Sequence, residues 1–415
     1  MKEISIKNQT LISTLGVTIQ FFMQWLISIL LVRMDGYEAA GVFALAMSIS
    51  NVFAYFANYG LRNFQITDVD RVYSDEQYIL TRIVLLLISQ VACIAYLMIS
   101  KGYTSPERVA ILLYFLYNVS NTMGDTLLGA AQIRNHLETN GISSALKGIG
   151  AFTFFIIAFY FTNNINVALG FMALAVFLVL CLYDFPVCYR IIGKLDFVFN
   201  TDLAVVPALL RDCFGLMVAQ LIPILTTAVP RRILQQLSGN EILGYFSSYF
   251  TPTVLVVTVA SAVTMAVLTK IGQFHSVGER KKVWDYHLAG YLVAGCCIVL
   301  GCVVVFLVGK PILSFMFGPG ILTYFPVMYI AGIVSVLNSL IAYQSGIMIA
   351  IRKIKENILC YCVALLIALL ASKPLVSHFG IYGAAYIYLF AYLIQNAMHS
   401  VIITHYAFRE GRVTK

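Results

Sequence analysis

Lysine and arginine lie on alternate sides of long apolar stretches in this chain, and this pattern constrains the fold more than any other feature. About twelve stretches are long enough to cross a bilayer, which takes roughly 20 mostly apolar residues. Of the 27 Lys and Arg residues, 20 lie in the N-terminal tail and the even-numbered connections, and seven lie in the odd-numbered ones. Because cytoplasmic loops are enriched in Lys and Arg, the sequence predicts a multi-pass membrane protein with both termini in the cytoplasm.

The composition excludes a soluble domain. Hydrophobic residues make up 60% of the chain and charged residues only 11%, whereas soluble proteins carry about 25% charged residues. The net charge of +8 is concentrated on one predicted membrane face, so it indicates orientation rather than nucleic-acid binding. Most of the nine cysteines lie inside apolar stretches, which favours small core residues over a disulfide framework or a metal site.

The predicted fold class is an all-α integral membrane protein with about twelve transmembrane helices. The predicted spans cover approximately residues 10–33, 39–64, 79–100, 109–132, 142–162, 166–188, 205–230, 243–269, 287–309, 322–351, 357–373 and 382–406. The connections between them are mostly short, and none is long enough for a soluble domain.

A short repeat suggests that the chain has two related halves. Residues 36–43 (GYEAAGVF) and 239–246 (GNEILGYF) share Gly, Glu, Gly and Phe at matching positions, 203 residues apart. The copies are six spans apart, so both halves would cross the membrane in the same direction. Parallel repeats of this kind are related by a pseudo-two-fold axis along the membrane normal and hold a substrate cavity between them. We therefore predict two six-helix lobes, residues 1–200 and 201–415.

Polar residues recur at helical spacing inside several predicted spans. The second span carries Ser48, Asn51, Tyr55, Asn58 and Arg62, and the fourth carries Tyr114, Asn118, Asn121, Asp125 and Gln132. Such residues are costly in a membrane and usually face a bundle interior or water. Interhelical hydrogen bonding would account for any one of them. Stripes of this length favour a hydrated cavity large enough for a substrate.

Charged residues within or beside the spans have alternative interpretations. Arg33, Arg231 and Arg232 lie on the predicted outer side, where they either extend to the head groups or bind an anionic substrate through the guanidinium fork. Arg62 could bind the same substrate at the inner end or serve only as an orientation charge. Asp125 is either a coupling site for a proton or cation, or the structural partner of a nearby arginine.

The seventh and eighth spans are rich in proline, with Pro207, Pro223, Pro230 and Pro252. Proline removes a helical hydrogen bond and kinks the axis. These residues therefore predict either a flexing helix, which would suit alternating access, or a static kink.

Enzyme chemistry finds little support in the sequence. The six histidines lack metal-ligand spacing, and neither a nucleophile elbow nor a phosphate-binding loop occurs in a suitable context. We therefore expect a protein that is not an enzyme, with no catalytic residue, no metal ligand and no cofactor. A membrane-bound glycosyl- or acyltransferase is the alternative from a different class.

Residues 36–46, followed by residues 58–65, resemble the start of polysaccharide-biosynthesis flippases, and the loop 73–78 with Arg82 is also similar. These flippases belong to the multidrug/oligosaccharidyl-lipid/polysaccharide exporter superfamily. The resemblance implies a fold like that of multidrug and toxic-compound (MATE) exporters, with two six-helix lobes around a cationic cavity. It also implies a bacterial inner-membrane protein. The two extra spans usual in the peptidoglycan-precursor branch are not found.

The function implied by this resemblance is movement of an undecaprenyl-diphosphate-linked oligosaccharide, the unit of O-antigen, capsule or a similar polymer, to the outer leaflet by alternating access. The implied partners are this lipid, membrane lipids, and surface-polysaccharide polymerase and chain-length proteins, with no nucleic acid. The diphosphate would contact Arg33, Arg62, Arg231 or Arg232, the sugars would contact Asn51, Asn58, Asn118 and Asn121, and Asp125 would bind the coupling ion. The alternative within transport is a multidrug exporter coupled to Na⁺ or H⁺.

Overall fold

The computed structural model describes residues 5–68, 71–193, 203–251, 267–268 and 270–408, and these residues form helices and short connections without a β-strand. The helices are α1 (Ile6–Asn58), α2 (Leu61–Thr67), α3 (Asp75–Ile99), α4 (Ser105–Ile133), α5 (Glu138–Thr162), α6 (Ile165–Val179), α7 (Phe185–Ile192), α8 (Val205–Phe250), α9 (Arg280–Val304), α10 (Lys310–Phe317), α11 (Val327–Ala350), α12 (Ile354–Phe379) and α13 (Ile381–Phe408). One π-helical turn, Leu180–Asp184, joins α6 to α7, and another, Val305–Gly309, joins α9 to α10.

Two glycines divide the longest helices. Gly36 in α1 has φ 84° and ψ −172°, and Gly239 in α8 has φ 85° and ψ 175°. Glycine adopts positive φ without the steric cost that a Cβ imposes, so each glycine marks the boundary between two spans. When each break is counted as a boundary, and α2, α7 and α10 are counted as continuations of α1, α6 and α9, the described helices form twelve segments that correspond to the twelve predicted spans. Of the eighth predicted span, 243–269, the structure describes residues 243–251 and 267–268.

Nine of the described helical stretches are long and apolar enough to cross a membrane, two of them containing the breaks at Gly36 and Gly239. The fourth predicted span, α4, is long enough but less apolar, because it carries Asn118, Asn121 and Asp125. The predicted all-α, multi-pass membrane architecture is therefore confirmed.

Local sequence fixes where α3 and α4 begin. The Ser74 hydroxyl accepts a hydrogen bond from the Gln77 backbone N–H at 3.3 Å, and the Gln77 side chain accepts one from Ser74 N–H at 2.9 Å. Thr104 and Glu107 form the same reciprocal pair at the start of α4. Each capping box satisfies two backbone donors that a helix N-terminus leaves without partners.

The prolines do not mark the break in α8. The backbone of this helix departs from helical φ and ψ at Gly239, whereas Pro223 and Pro230 lie in continuous helix. Pro252 and the predicted boundary between residues 200 and 201 lie outside the described residues.

The chain divides into two compact units. Unit 1 contains residues 1–31 and 42–224, and unit 2 contains residues 32–41 and 225–415. In unit 1, the start of α8 packs against the α1–α2 turn and α3 through Leu209, Cys213 and Met217. In unit 2, α9, α11 and α13 share a core that includes Val283, Ile347 and Ile403.

A tyrosine between α2 and α3 also holds the start of α8 within unit 1. The Tyr73 hydroxyl donates a hydrogen bond to Asp212 at 2.7 Å. This hydrogen bond raises the pKa of Tyr73 to about 12, because it stabilises the protonated phenol. The connection after α2 and the first turns of α8 are thereby joined.

Within unit 2, the two copies of the sequence repeat pack against each other reciprocally. A Cβ on Gly41 would lie 1.8 Å from the Asn240 carbonyl oxygen, and a Cβ on Gly244 would lie 2.0 Å from that of Tyr37. Gly41 and Gly244 are each the fifth residue after the glycine at a helix break. Tyr37 and Asn240, which provide the carbonyls, are each the first residue after that break. Tyr37 also stacks on Tyr245, with ring centroids 3.7 Å apart. The repeat therefore forms a contact with local two-fold character.

Replacing Gly244 with alanine is expected to lower the free energy of unfolding by about 1–3 kcal/mol, the usual cost of overpacking. The added methyl group would overlap a backbone carbonyl, which cannot move away as a flexible side chain can. Thermal unfolding of the purified protein in detergent measures the change. Gly215→Ala in the same helix is the matched control, since a Cβ there meets nothing within 4 Å. Equal melting of both variants and the unmodified protein would contradict the expectation.

Candidate functional site

The polar stripes predicted on the second and fourth spans meet in unit 1. Asn118 on α4 donates a hydrogen bond to Asn51 on α1 at 3.0 Å. Gln20, near the start of α1, donates to Asn121 at 3.2 Å, and Gln24 donates to the Tyr114 hydroxyl. These side chains connect three predicted spans through amide and hydroxyl groups, the groups that can also hydrogen bond to sugar hydroxyls.

Arg62 and Asp125 form an ion pair at one end of these stripes. Arg62 Nη1 lies 3.1 Å from Asp125 Oδ1, and Nη2 donates to Gln132 at 3.2 Å. The side chains are 21% and 38% exposed. Tyr59 and Gly60 adopt left-handed conformations that separate α1 from α2, which places Arg62 on the short helix α2, beside α4. A guanidinium has five N–H donors, and these two contacts use two of them.

Asn58 contacts Arg82, which was predicted to be an orientation charge and part of the family resemblance, with no contact to another helix. Arg82 on α3 is fully buried and donates to Thr126 at 2.6 Å, to Asn58 at 3.4 Å and to the Ala57 carbonyl. It therefore ties α3 to α1 and α4. The available signal was its position inside the third predicted span, since buried charges in membranes are almost always paired.

Arg33 caps a helix of unit 2. Its guanidinium donates to the carbonyls of Met316 at 3.0 Å, Ser314 at 3.2 Å and Phe315, which belong to the last turn of α10. The last carbonyls of a helix lack intrahelical donors and carry partial negative charge. The Arg33 guanidinium therefore supplies both the missing N–H donors and a positive charge. Arg33 is exposed, and its predicted contact with substrate stays a prediction.

Arg231 and Arg232 lie on α8 in unit 2. Arg231 hydrogen bonds to the side chain of Tyr388 on α13, which itself donates to the Thr227 carbonyl at 2.6 Å. Arg231 Nε is buried without a hydrogen-bond partner among the described residues. Arg232 is buried and donates to Gln235 one turn later. The pair thus places two positive charges inside the helical unit.

A buried ion pair in unit 1 was missing from the sequence predictions. Lys147 Nζ on α5 lies 2.7 Å from Asp184 Oδ2 in the π-helical turn, and these side chains are 4% and 0% exposed. A Cβ on Gly124 of α4 would lie 2.3 Å from the ammonium and 2.5 Å from the carboxylate. Glycine at this position therefore leaves room for the pair. A lone acid and a lone base in adjacent apolar spans were the signal that could have revealed it.

Polar and charged side chains are therefore buried in each helical unit of this multi-pass membrane protein. A Vibrio cholerae MATE transporter, VcmN, aligns over 99% of this chain and 97% of its own at 11% identity, with a TM-score of 0.61. The lipid II flippase MurJ in an inward closed conformation aligns over 96% and 87% at 13% identity, with a TM-score of 0.74. These similarities confirm the predicted MATE-like fold.

The chain belongs to the polysaccharide biosynthesis protein family, which it matches over residues 6–269. It is also 23% identical over 376 residues to the capsular polysaccharide biosynthesis protein CapF of Staphylococcus aureus. That alignment covers 87% of this chain and 90% of CapF. The family predicted from residues 36–46 and 58–65 is therefore confirmed.

Proposed function

We propose that this protein is a flippase that moves an undecaprenyl-diphosphate-linked oligosaccharide from the inner to the outer leaflet of the bacterial cytoplasmic membrane by alternating access. Membership of the polysaccharide biosynthesis protein family carries this proposal. The barrier to such movement is the transfer of sugar hydroxyls and phosphate charge through hydrocarbon. Polar and cationic side chains inside a helical unit lower that barrier without covalent chemistry, so the protein need not be an enzyme.

In unit 1, the diphosphate competes with Asp125 for Arg62. The guanidinium can form two parallel hydrogen bonds to phosphate oxygens, and its present partner is a carboxylate that is 38% exposed. When Arg62 turns to the diphosphate, Asp125 is left without its partner and attracts a cation. This exchange gives Asp125 its proposed coupling role, while Asn51, Asn118 and Asn121 hydrogen bond to sugars.

In unit 2, Arg231 is the stronger candidate for an anion contact. Its Nε is buried without a partner among the described residues, and its contact with Tyr388 is to a neutral hydroxyl. An anionic ligand would therefore gain a hydrogen bond from Arg231 without breaking an ion pair. Arg33 already donates to three carbonyls, so its proposed role is secondary.

The excess of Lys and Arg in the tail and even-numbered connections supports an orientation with both termini in the cytoplasm. The proposed partners of the protein are the lipid-linked oligosaccharide, membrane lipids, and the polymerase and chain-length proteins of a surface-polysaccharide system.

The decisive experiment uses purified protein in vesicles that carry a fluorescent lipid-linked oligosaccharide. We expect the protein to move the labelled sugar to the opposite leaflet, as measured with a membrane-impermeant quencher. We also expect expression of the protein to restore surface polymer in a deletion strain. Protein-free vesicles give the background rate. No acceleration in vesicles, together with drug sensitivity and unchanged polymer in the deletion strain, would favour a multidrug exporter instead.

A further inference from the structure

Two buried histidines in unit 2 belong to a polar network that the proposed substrate contacts do not use. We define the histidine network as His287 on α9, Gln344 on α11, Asn357 on α12, and His399 and Ser400 on α13. His287 Nε2 lies 3.2 Å from Ser400 Oγ, and Gln344 donates to the same Ser400 oxygen at 3.3 Å. His399 Nε2 lies 2.9 Å from Asn357 Oδ1. Four helices that would cross the membrane therefore meet at these side chains.

The hydrogen bonds of Asn357 define the tautomer of His399. Asn357 Nδ2 donates to Ser345 Oγ at 2.8 Å, which leaves Asn357 Oδ1 as the acceptor for His399. Nε2 of His399 must therefore carry a hydrogen, and a neutral imidazole then has its lone pair on Nδ1. His399 Nδ1 is buried and has no hydrogen-bond partner among the described residues. This atom is thus a buried proton acceptor.

The second histidine of the network, His287, also has a ring nitrogen without a hydrogen-bond partner among the described residues. Its Nδ1 and the Gln344 side-chain oxygen are also buried without partners among the described residues. His287, Gln344 and His399 are 1%, 0% and 0% exposed. Leaving a buried polar atom without a partner costs about 1–3 kcal/mol. Two of these three atoms are ring nitrogens, so each imidazole can accept a proton without giving up a hydrogen bond that it already makes.

Among the described residues, no fixed charge lies beside the network that would hold either histidine permanently protonated. The ionisable side chains beside the network are Tyr291 on α9, Tyr343 on α11, Cys360 and Tyr361 on α12, and the two histidines themselves. Lys270, Arg280, Lys282, Asp285, Lys353 and Glu356 lie near helix ends at the periphery. His275 pairs with the Tyr406 hydroxyl. A proton bound there would therefore be a buried charge without a counter-charge among the described residues, so it would bind and leave with access to water rather than stay permanently bound.

The network lies near one end of the four helices. His287 is seven residues after the start of α9, Gln344 is six before the end of α11, Asn357 is three after the start of α12, and His399 is nine before the end of α13. At 1.5 Å per residue, these depths are roughly 5–14 Å. The basic start of α9, Arg280–Lys282, lies at the same end, so protons need to cross only a short distance to reach the network.

We propose that the histidine network is a proton-binding site that couples the proposed flippase activity to a proton gradient. A proton from water binds the lone pair of His399 Nδ1 or the unprotonated ring nitrogen of His287 and forms an imidazolium, with no other bond made or broken. Release to water on the other side of the membrane completes the cycle. Coupling rests on the proposed function, whereas proton binding does not.

Tryptophan fluorescence tests proton binding without substrate. The chain has two tryptophans, and the Trp284 ring centroid lies 5.2 Å from that of His287. In a Trp25→Phe protein, Trp284 is the sole reporter, and a protonated imidazole beside an indole quenches its emission. We expect emission to fall reversibly between pH 8 and about pH 4, a range that covers ordinary and shifted histidines.

The variants of this experiment separate the histidine network from general pH effects. His287→Gln should abolish the fall in emission, and His399→Gln should move its midpoint, since the two imidazoles interact electrostatically. His378→Gln, an exposed histidine at the other end of α12, is the matched control and should leave the titration unchanged. A flat titration in the Trp25→Phe protein, or one that persists in His287→Gln, would overturn proton binding.

Vesicle transport then tests coupling. For one proton per cycle, a gradient of one pH unit should shift the transbilayer distribution of the lipid-linked oligosaccharide about tenfold. The double variant His287→Gln with His399→Gln should remove that shift while protein-dependent flipping remains. A normal Trp284 titration with flipping that ignores the gradient would overturn the coupling role. Absence of flipping with a normal titration would contradict the proposed function and leave proton binding supported.

Discussion

Replacing Lys147 with methionine is expected to lower the free energy of unfolding by about 3–5 kcal/mol, because it leaves the carboxylate of Asp184 buried without its cation. The pair is 2.7 Å apart and almost fully buried. Asp184 has no hydrogen bond to replace the lost contact among the described residues. Thermal unfolding in detergent, with size-exclusion chromatography to confirm a single species, measures the loss.

Two control variants distinguish the loss of charge compensation from a loss of packing. The double variant Lys147→Met with Asp184→Leu should recover most of the stability, since replacing a whole buried pair by apolar side chains is often neutral. Lys282→Met breaks the pair between Lys282 and Glu279, whose side chains are 53% and 43% exposed, and should cost about 0–1 kcal/mol. If the single and double variants were equally unstable, the damage would lie in packing rather than in an uncompensated charge.

Replacing Arg62 with alanine is expected to slow lipid-linked oligosaccharide flipping by about 10- to 100-fold. Hydrogen bonds to charged groups contribute about 1.5–3 kcal/mol, and each 1.4 kcal/mol corresponds to a factor of ten. Arg62→Lys should recover only part of the rate, because an ammonium keeps the charge but loses the planar fork. Initial rates in vesicles at equal protein content measure the effect.

Arg134→Ala is the matched control for Arg62, since Arg134 also pairs with an aspartate of unit 1 but lies beyond the end of the polar stripe on α4. Flipping should continue at near the normal rate in this variant. Asp125→Asn separates two roles, because it frees Arg62 for substrate while removing the proposed coupling carboxylate. Unchanged flipping in Arg62→Ala would remove Arg62 from the substrate path.

The sequence predicted the features that depend on local pattern. Among the described residues, the apolar stretches became helices, several of which extend beyond the predicted ends, and the polar stripes containing Asn51 and Asn118 came together in unit 1. The repeat at residues 36–43 and 239–246 became a reciprocal contact. Span length, helical spacing and repeated glycines are patterns of nearby residues, so they can be recognised in the sequence without knowing which helices are neighbours.

Features that depend on which helices are neighbours could not be predicted in this way. Arg82 and Lys147 were assigned to membrane orientation, yet the structure buries both against groups from other helices. The carbonyls that Arg33 caps come from a helix about 280 residues later in the chain. The hydrogen bond between His399 and Asn357 likewise depends on tertiary packing, which residue spacing does not specify.

The division of the chain into units has a consequence for its synthesis. Residues 32–41 belong to the unit whose remaining residues begin at 225, so this short segment is translated long before its packing partners. Gly41 and Gly244 are separated by 203 residues, which corresponds to roughly 10–40 s of translation at about 5–20 residues per second. During that interval, residues 32–41 lack the residues that they pack against in the folded protein. This contact can form only after the second half of the chain has been synthesised.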